Sequence, residues 1–358
     1  MSDNIKKILF TGGGSGGPVS PLLAIAEDLS IADKYKYLWV GTKDGPEEGM
    51  VSKLGIEFKK IPAGKFRRYF SWQNFADLFK IFTAFFISLF LILRWKPNIV
   101  MTAGAYVSVP VIWAAKILRI PVIIHQQDVR PGLANKLMAP FSNVITVTFE
   151  KSLEDYNENA VWTGNPIRKS IRDMSRASDF AFDYFKLNRE LKTILIVGGG
   201  TGALAINALT ESLAEKLSKK YNTILITGKN KEKYFKYPKR NFHIFEFLNV
   251  DDFSRAVHAS DVVISRAGMG LLSELAYLSK PSIIIPIPES HQEDNAQVLY
   301  ETDSAIILDQ NELNAEKLLD SIENLLNDNN KMSKIGKNLN VCIKSGDGKE
   351  IVKIINNL

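Results

Sequence analysis

Apolar residues along the chain fall in short runs separated by longer stretches with helical spacing. The runs at 8–10, 37–40, 99–102, 122–125, 144–147, 194–197, 223–227, 244–247, 262–265 and 282–285 are rich in apolar and β-branched residues at consecutive positions. Strands buried on both faces read this way, because helices cover each side of a parallel sheet. The predicted class is therefore α/β. A Gly-Asn-Pro turn at 164–166 followed by a polar stretch marks a break. This predicts a domain over 1–163 and a second over 164–340, with a short helix over 341–358 that crosses back onto the first domain.

One segment departs from the pattern. Trp72, Phe75, Phe79, Phe82, Phe86, Leu89 and Leu93 recur at spacings of three and four, while Ile81, Phe85, Ile87 and Leu91 make the opposite surface apolar as well. One stripe can pack on a sheet, and the other needs a further apolar partner. The strongly apolar stretch 81–93 is shorter than the ~20 residues a bilayer span requires. Lys65, Arg67, Arg68, Lys80, Arg94 and Lys96 flank it. Apolar rings bordered by cations predict a helix resting in an anionic membrane interface; a core helix with solvated flanks is the alternative.

A length of 358 residues agrees with two domains, and 46% apolar with 23% charged residues describes a folded chain. The single cysteine, Cys342, excludes an intramolecular disulfide and points to a reducing compartment. No apolar leader precedes the first strand, so a cytosolic location is expected. The formal net charge of +6 suits nucleic acid, anionic lipid or phosphorylated substrates. Its clustering around the apolar helix, without interleaved aromatics of a base-stacking surface, favours lipid and argues against nucleic acid.

Two glycine-rich turns carry the candidate chemistry. Residues 11–17 (Thr-Gly-Gly-Gly-Ser-Gly-Gly) and 198–203 (Gly-Gly-Gly-Thr-Gly-Ala) each follow a predicted strand and open a helix. Glycines there admit positive φ and close approach to a ligand, and the free N–H groups of the helix favour an anionic oxygen. A nicotinamide site would add an acidic residue after the second strand, but 40–44 and 227–231 offer no convincing one. No Gly-Lys-Ser/Thr ending marks a Walker loop, and no Asp-x-Asp triplet offers to hold a cation under a diphosphate. No cofactor is expected. The run 265–274, which contains Arg266, Gly268, Met269 and Glu274, ends a strand and opens a helix. The stretch 286–296 then supplies His291, Gln292 and Asn295, polar groups suited to sugar hydroxyls.

These blocks, with 104–108, His125-Gln-Gln-Asp128, 164–168, 246–248 and 292–296, occur in the order found in the MurG family, and the whole chain resembles that family. The resemblance implies a GT-B fold of two Rossmann-like domains facing across a cleft. It implies an inverting transferase that moves N-acetylglucosamine from UDP-GlcNAc to lipid I, yielding lipid II, at the cytoplasmic side of the cell membrane. Carried over by position, the Leu248 backbone meets uracil and Glu274 the ribose. Arg168 with Gly199, Gly200, Thr201, Gly202 and Ala203 meets the diphosphate, Gly268, Met269 and Asn295 line the donor site, and His291 with Gln292 serves the amino sugar. Gly14, Ser15, Gly16, Gly17 and Tyr106, with the tetrad at His125, face the acceptor diphosphate and the reacting hydroxyl.

The chain also departs from the family pattern. Pro18 stands where a histidine is usual, Gln126 replaces a glutamate, and Asp128 replaces an asparagine. Proline in a first helical turn is structurally harmless, but it cannot take a proton. Asp128 is the expected base, with His125 second. Two other readings stay open: the same fold acting on another lipid acceptor such as diacylglycerol, and a membrane-bound nucleotide-sugar-binding protein without catalysis.

Overall fold

The computed structural model describes residues 5–30, 34–64, 73–156, 158–173, 178–198, 203–231 and 240–358. It divides into two compact units, residues 1–169 with 346–358 and residues 170–345. In the first unit the chain alternates strand and helix: β1 (Lys6–Thr11), α1 (Ser20–Ser30), β2 (Tyr35–Gly41), α2 (Glu47–Ser52), β3 (Glu57–Lys60), α3 (Gln73–Trp95), β4 (Ile99–Thr102), α4 (Ser108–Ile117), β5 (Val122–Gln126), α5 (Leu133–Met138), β6 (Val144–Val147) and β7 (Ala160–Trp162). The strands form one parallel sheet in the order β3-β2-β1-β4-β5-β6-β7. Alternate residues of β1 serve opposite faces. Ile8 and Phe10 join Trp39, Met101 and α1, whereas Leu9 joins Val40, Val100, α3 and α4.

A two-residue bridge strand β8 (Asn165–Pro166) and the turn α6 (Lys169–Arg172) lead into the second unit. It contains α7 (Ser178–Phe185), β9 (Thr193–Val197), α8 (Leu204–Lys220), β10 (Asn222–Ile226), β11 (Phe242–Phe245), α9 (Val250–Ala259), β12 (Val262–Ser265), α10 (Met269–Tyr277), β13 (Ser282–Ile284), α11 (His291–Glu301), β14 (Ile306–Ile307), α12 (Ala315–Leu326) and α13 (Asn329–Cys342). Its parallel sheet runs β11-β10-β9-β12-β13-β14. In both sheets the strand order reverses beside the first strand of the unit, at β1/β4 and at β9/β12. Ligands of open parallel sheets bind beyond the carboxyl ends of strands at such points. The first glycine turn, Tyr106 and the 265–268 turn follow strands at these positions, as does Gly198 after β9.

The chain then returns to the first unit through β15 (Ser345–Gly346) and α14 (Lys349–Asn357). The Ile167 N–H donates to the Gly346 carbonyl at 3.0 Å. Ile351 and Ile355 are fully buried in the same core layer as Ile8 and Phe10.

Helix α3 is longer than its sequence suggests. It spans 23 residues, and Asp77–Trp95 is long and apolar enough to cross a membrane by length and composition. That corrects the expectation drawn from 81–93 alone, which left out the flanking turns. One face is nonetheless committed to the domain: Ala84, Ser88 and Ile92 are buried, and α3 packs on α4. The other face presents Phe79, Phe82, Phe86, Phe90 and Leu93 to solvent. Phe90 belongs to that row although the spacing analysis omitted it, and Leu89 turns partly into the core instead. Trp72 and the side chain of Phe75 lie outside the described residues.

Candidate active site

The first glycine turn is built around a buried acid. Glu47, the first residue of α2, is fully enclosed. Its Oε1 accepts from the Thr42 N–H at 2.7 Å and from the Thr42 hydroxyl, and its Oε2 accepts from the Gly14 N–H at 3.2 Å. A Cβ at Gly13 or Gly45 would overlap this carboxylate and force it to shift. On its other side Gly14, at φ +80°, meets Tyr106: a Cβ there would lie 3.1 Å from Tyr106 Cε1 and 3.3 Å from its hydroxyl oxygen. Tyr106 itself is delivered by a bent segment after β4, with Gly104 at φ +104° and Ala105 at φ +81°. Positive φ at an alanine costs energy and persists where surrounding bonds hold it. The Ser108 hydroxyl donates to the Gly104 carbonyl at 2.8 Å, and the Thr102 hydroxyl donates to the same oxygen at 3.0 Å. Burial, then the charges of Glu47 and Asp77, push the Tyr106 phenol up, so it stays a donor at neutral pH. Gly14, Ser15 and Gly17 are exposed and Gly16 is half-buried. Glu47 was not singled out from the sequence, where an acid after Pro46 looks like an ordinary first-turn partner of the helix dipole.

At the end of β5 the tetrad divides into inner and outer members. His125 is fully buried, with Nε2 2.8 Å from Asn165 Oδ1 and Nδ1 2.9 Å from the Thr146 hydroxyl oxygen. Nε2–H facing an amide oxygen leaves Nδ1 to accept from Thr146, which is a neutral imidazole. Burial lowers its pKa to about 4, against a smaller opposing effect of Asn165. With both nitrogens engaged and no exposed atom, His125 braces the sheet end to the 163–167 segment in this structure. Gln126 is buried too, accepting from the Tyr156 hydroxyl and donating to the Val129 carbonyl at 3.4 Å. The Ser152 hydroxyl donates to that same carbonyl at 2.8 Å. Asp128, at the tip of this braced turn, is partly exposed.

In the second unit, Gly268 precedes α10 with extended backbone, and Glu274 lies on α10 with only 3% of its surface exposed. Asn295, fully buried on α11, donates to the Ala267 carbonyl at 3.1 Å and so ties α11 to the turn that contains Gly268 and Met269. The Arg266 guanidinium donates to the carbonyls of Ile285 and Pro286, each at 3.0 Å, and fixes the strand exit that leads to α11. Ser290 caps α11, its hydroxyl oxygen accepting from the Gln292 N–H at 3.3 Å, while Gln292 Oε1 accepts from the Ile287 N–H at 3.3 Å. His291 is exposed and Gln292 half-buried. Leu248 is buried, and its neighbour Phe247 is 72% exposed. Phe247 was not picked out from the sequence because it reads there as the end of a strand; β11 stops two residues earlier, at Phe245. Ala203 is buried at the start of α8, whereas Gly199, Gly200, Thr201 and Gly202 lie outside the described residues. Arg168, half-buried, belongs to the first unit.

The N-terminal domain of glycosyltransferase family 28 matches residues 8–147, and the C-terminal domain of that family matches residues 193–346. These two matches and the paired parallel sheets define a GT-B glycosyltransferase. The chain is 37% identical over 328 residues to the UDP-N-acetylglucosamine–N-acetylmuramyl-(pentapeptide) pyrophosphoryl-undecaprenol N-acetylglucosamine transferase of Clostridium kluyveri, covering 90% of this chain and 91% of that one. The enzyme of the same name from Clostridium tetani is 35% identical over 338 residues, covering 93% of each chain. Among solved structures, Acinetobacter baumannii MurG superposes with a TM-score of 0.75 at 23% identity, over 99% of this chain and 100% of that one. The UDP-GlcNAc 2-epimerase of Neisseria meningitidis, bound to UDP-GlcNAc, shares the fold with a TM-score of 0.72 at 15% identity, over 98% and 100% of the two chains. The chain belongs to the MurG family.

Proposed function

We propose that this protein transfers N-acetylglucosamine from UDP-GlcNAc to the C4 hydroxyl of N-acetylmuramic acid in lipid I, with inversion, to form lipid II. The observation that carries this reading is the identity to the clostridial enzymes across both domains. The donor rests on the second unit. The buried Glu274 accepts the ribose hydroxyls, the Leu248 backbone reads uracil beside Phe247, and Gly268 and Met269 line the site. His291 and Gln292 serve the amino sugar, and Asn295 ties α11 to the 267–269 turn. Ala203, at the start of α8, meets the diphosphate as the bond to C1 breaks. The acceptor rests on the first unit, against Gly14, Ser15, Gly16, Gly17 and Tyr106.

Inversion needs a base that takes the proton of the attacking hydroxyl while UDP departs on the opposite side. With Pro18 unable to act and His125 sealed, Asp128 fills this role. The partly exposed carboxylate on a braced turn supports it. Asp128→Asn should lower kcat at least ~100-fold, the usual scale of a lost general base, with the Kd for UDP-GlcNAc unchanged. A near wild-type rate with lipid I removes Asp128 from the mechanism. Transfer to diacylglycerol in place of lipid I overturns the choice of acceptor. The exposed phenylalanine row of α3 rests in the anionic inner face of the cell membrane, and makes the enzyme peripheral at its cytoplasmic side.

A further inference from the structure

The contacts around the first glycine turn give a role to an acid that the mechanism leaves unused: we propose that Glu47 is the positioning residue of the acceptor seat, fixing the turn so that its remaining N–H groups stay available to the acceptor's diphosphate. The inference rests on the reading above that this unit receives the acceptor. The turn is tied down at three points. At its entry the Gly12 N–H donates to the Val40 carbonyl at 3.3 Å, and the Gly12 carbonyl accepts from the Trp39 indole N–H at 3.0 Å. In the middle the Gly14 N–H donates to Glu47 Oε2 at 3.2 Å. At the exit the Gly16 carbonyl accepts from the N–H groups of Val19, at 3.3 Å, and Ser20, at 3.1 Å, where α1 begins. Gly13 is buried, whereas Ser15 and Gly17 are exposed and Gly16 is half-buried. The N–H groups of Ser15, Gly16 and Gly17 have no partner among the described residues. Pro18 brings no N–H, so these three are the donors that the start of α1 leaves for an oxyanion.

A carboxylate suits the place between β2 and the turn because two backbone donors converge on it from different segments. The Thr42 N–H takes Oε1, together with the Thr42 hydroxyl, and the Gly14 N–H takes Oε2. A glutamine has one acceptor oxygen, so its NH2 would meet one of these N–H groups donor to donor. Thr42 is buried and Gly14 is exposed, so the Gly14 bond is the one given up, since water can satisfy that N–H. The surroundings are fitted to the acid: a Cβ at Gly45 would lie 1.9 Å from Oε2, and one at Gly41 would lie 3.1 Å from Cγ. Without its middle anchor the stretch from Gly12 to Gly16 is free to swing beside Tyr106, and the three donors lose their common geometry. Glu47 thus acts through the turn and does not itself touch the acceptor.

The test uses the full-length enzyme with UDP-GlcNAc saturating, lipid I varied and inorganic pyrophosphate as the probe. In Glu47→Gln the KM for lipid I and the inhibition constant of pyrophosphate against it should both rise about tenfold or more, the worth of a charged hydrogen bond, while kcat falls by a smaller factor. An inhibition constant that stays the same or falls overturns the proposal, since the acid is then indifferent to the anion or repels it. A lower kcat with both constants unchanged overturns it too, because that is the mark of a purely structural loss of active enzyme. If Glu47→Gln fails to fold, Gly45→Ala displaces Oε2 from outside the turn, and the same rise is expected. One measurement needs no variant: in the wild type the Gly14 amide should be protected from solvent exchange about tenfold or more over the amides of Ser15 and Gly17. Equal protection overturns the proposal whether or not either variant folds. Wild type that binds UDP-GlcNAc yet transfers nothing to lipid I would instead refute the acceptor assignment, and amide exchange with direct binding of pyrophosphate would still decide the role of Glu47.

Discussion

The outward row of α3 permits a quantitative test of membrane docking. Phe82 and Phe86 are 59% and 61% exposed, and Phe79 and Phe90 are 76% and 65% exposed beside them. Full burial of a phenylalanine side chain is worth roughly 1.5–3 kcal/mol, so the exposed part of each ring contributes about 1.5 kcal/mol when it enters an acyl boundary. Replacing both with serine, Phe82→Ser with Phe86→Ser, should cost about 3 kcal/mol of binding, or roughly 150-fold in vesicle partition. Because neither ring lies on the buried Ala84–Ser88–Ile92 side, thermal stability should hold. The assay is co-sedimentation with vesicles rich in anionic phospholipid, with UDP-GlcNAc binding in solution as control. Partition within threefold of wild type at an unchanged Tm refutes the reasoning. A collapse of Tm places these rings in a core instead of an interface.

His125 gives a pH prediction. Its folded pKa of about 4 lies below the ~6.5 of an unfolded histidine, so the unfolded chain binds more protons between those values. The stabilisation is fully present above pH ~6.5 and is lost as pH falls toward 4, roughly 3 kcal/mol in all; denaturant titrations of wild type against His125→Gln should show a flatter acid limb in the variant, and parallel limbs would contradict the buried neutral imidazole. Glu274→Ala should raise the KM for UDP-GlcNAc by about 10- to 100-fold, the worth of a charged hydrogen bond, while the KM for lipid I stays put. Equal changes in both constants would show that this carboxylate supports the fold and does not hold a ribose.

Much of this architecture could be read from runs of apolar residues because parallel strands covered on both sides leave no polar alternation to confuse them. The strands that escaped notice are those lacking that signature. β3 reads Glu-Phe-Lys-Lys at a sheet edge, and β14 is only two residues long. The glycine turns and the Arg266–Glu274 block were visible because their residue types are constrained by backbone geometry. Glu47 was invisible for the opposite reason. Its importance comes from β1, β2 and α2 bringing Gly13, Thr42 and Gly45 around it, contacts that no local spacing records. The inner location of His125 was equally hidden, since a histidine that ends a strand reads the same whether its ring faces the sheet core or the ligand.

The return of α14 to the first unit has a consequence for biogenesis. Ile351 and Ile355 complete the layer that contains Ile8 and Phe10, yet the ribosome makes them only after the whole second unit. Until then α1 carries an uncovered greasy flank, so the half of the protein synthesised earliest reaches its finished form last. Stop codons just upstream of Lys349 would leave that half sticky and prone to capture by chaperones, even with every residue of the glycine turns intact.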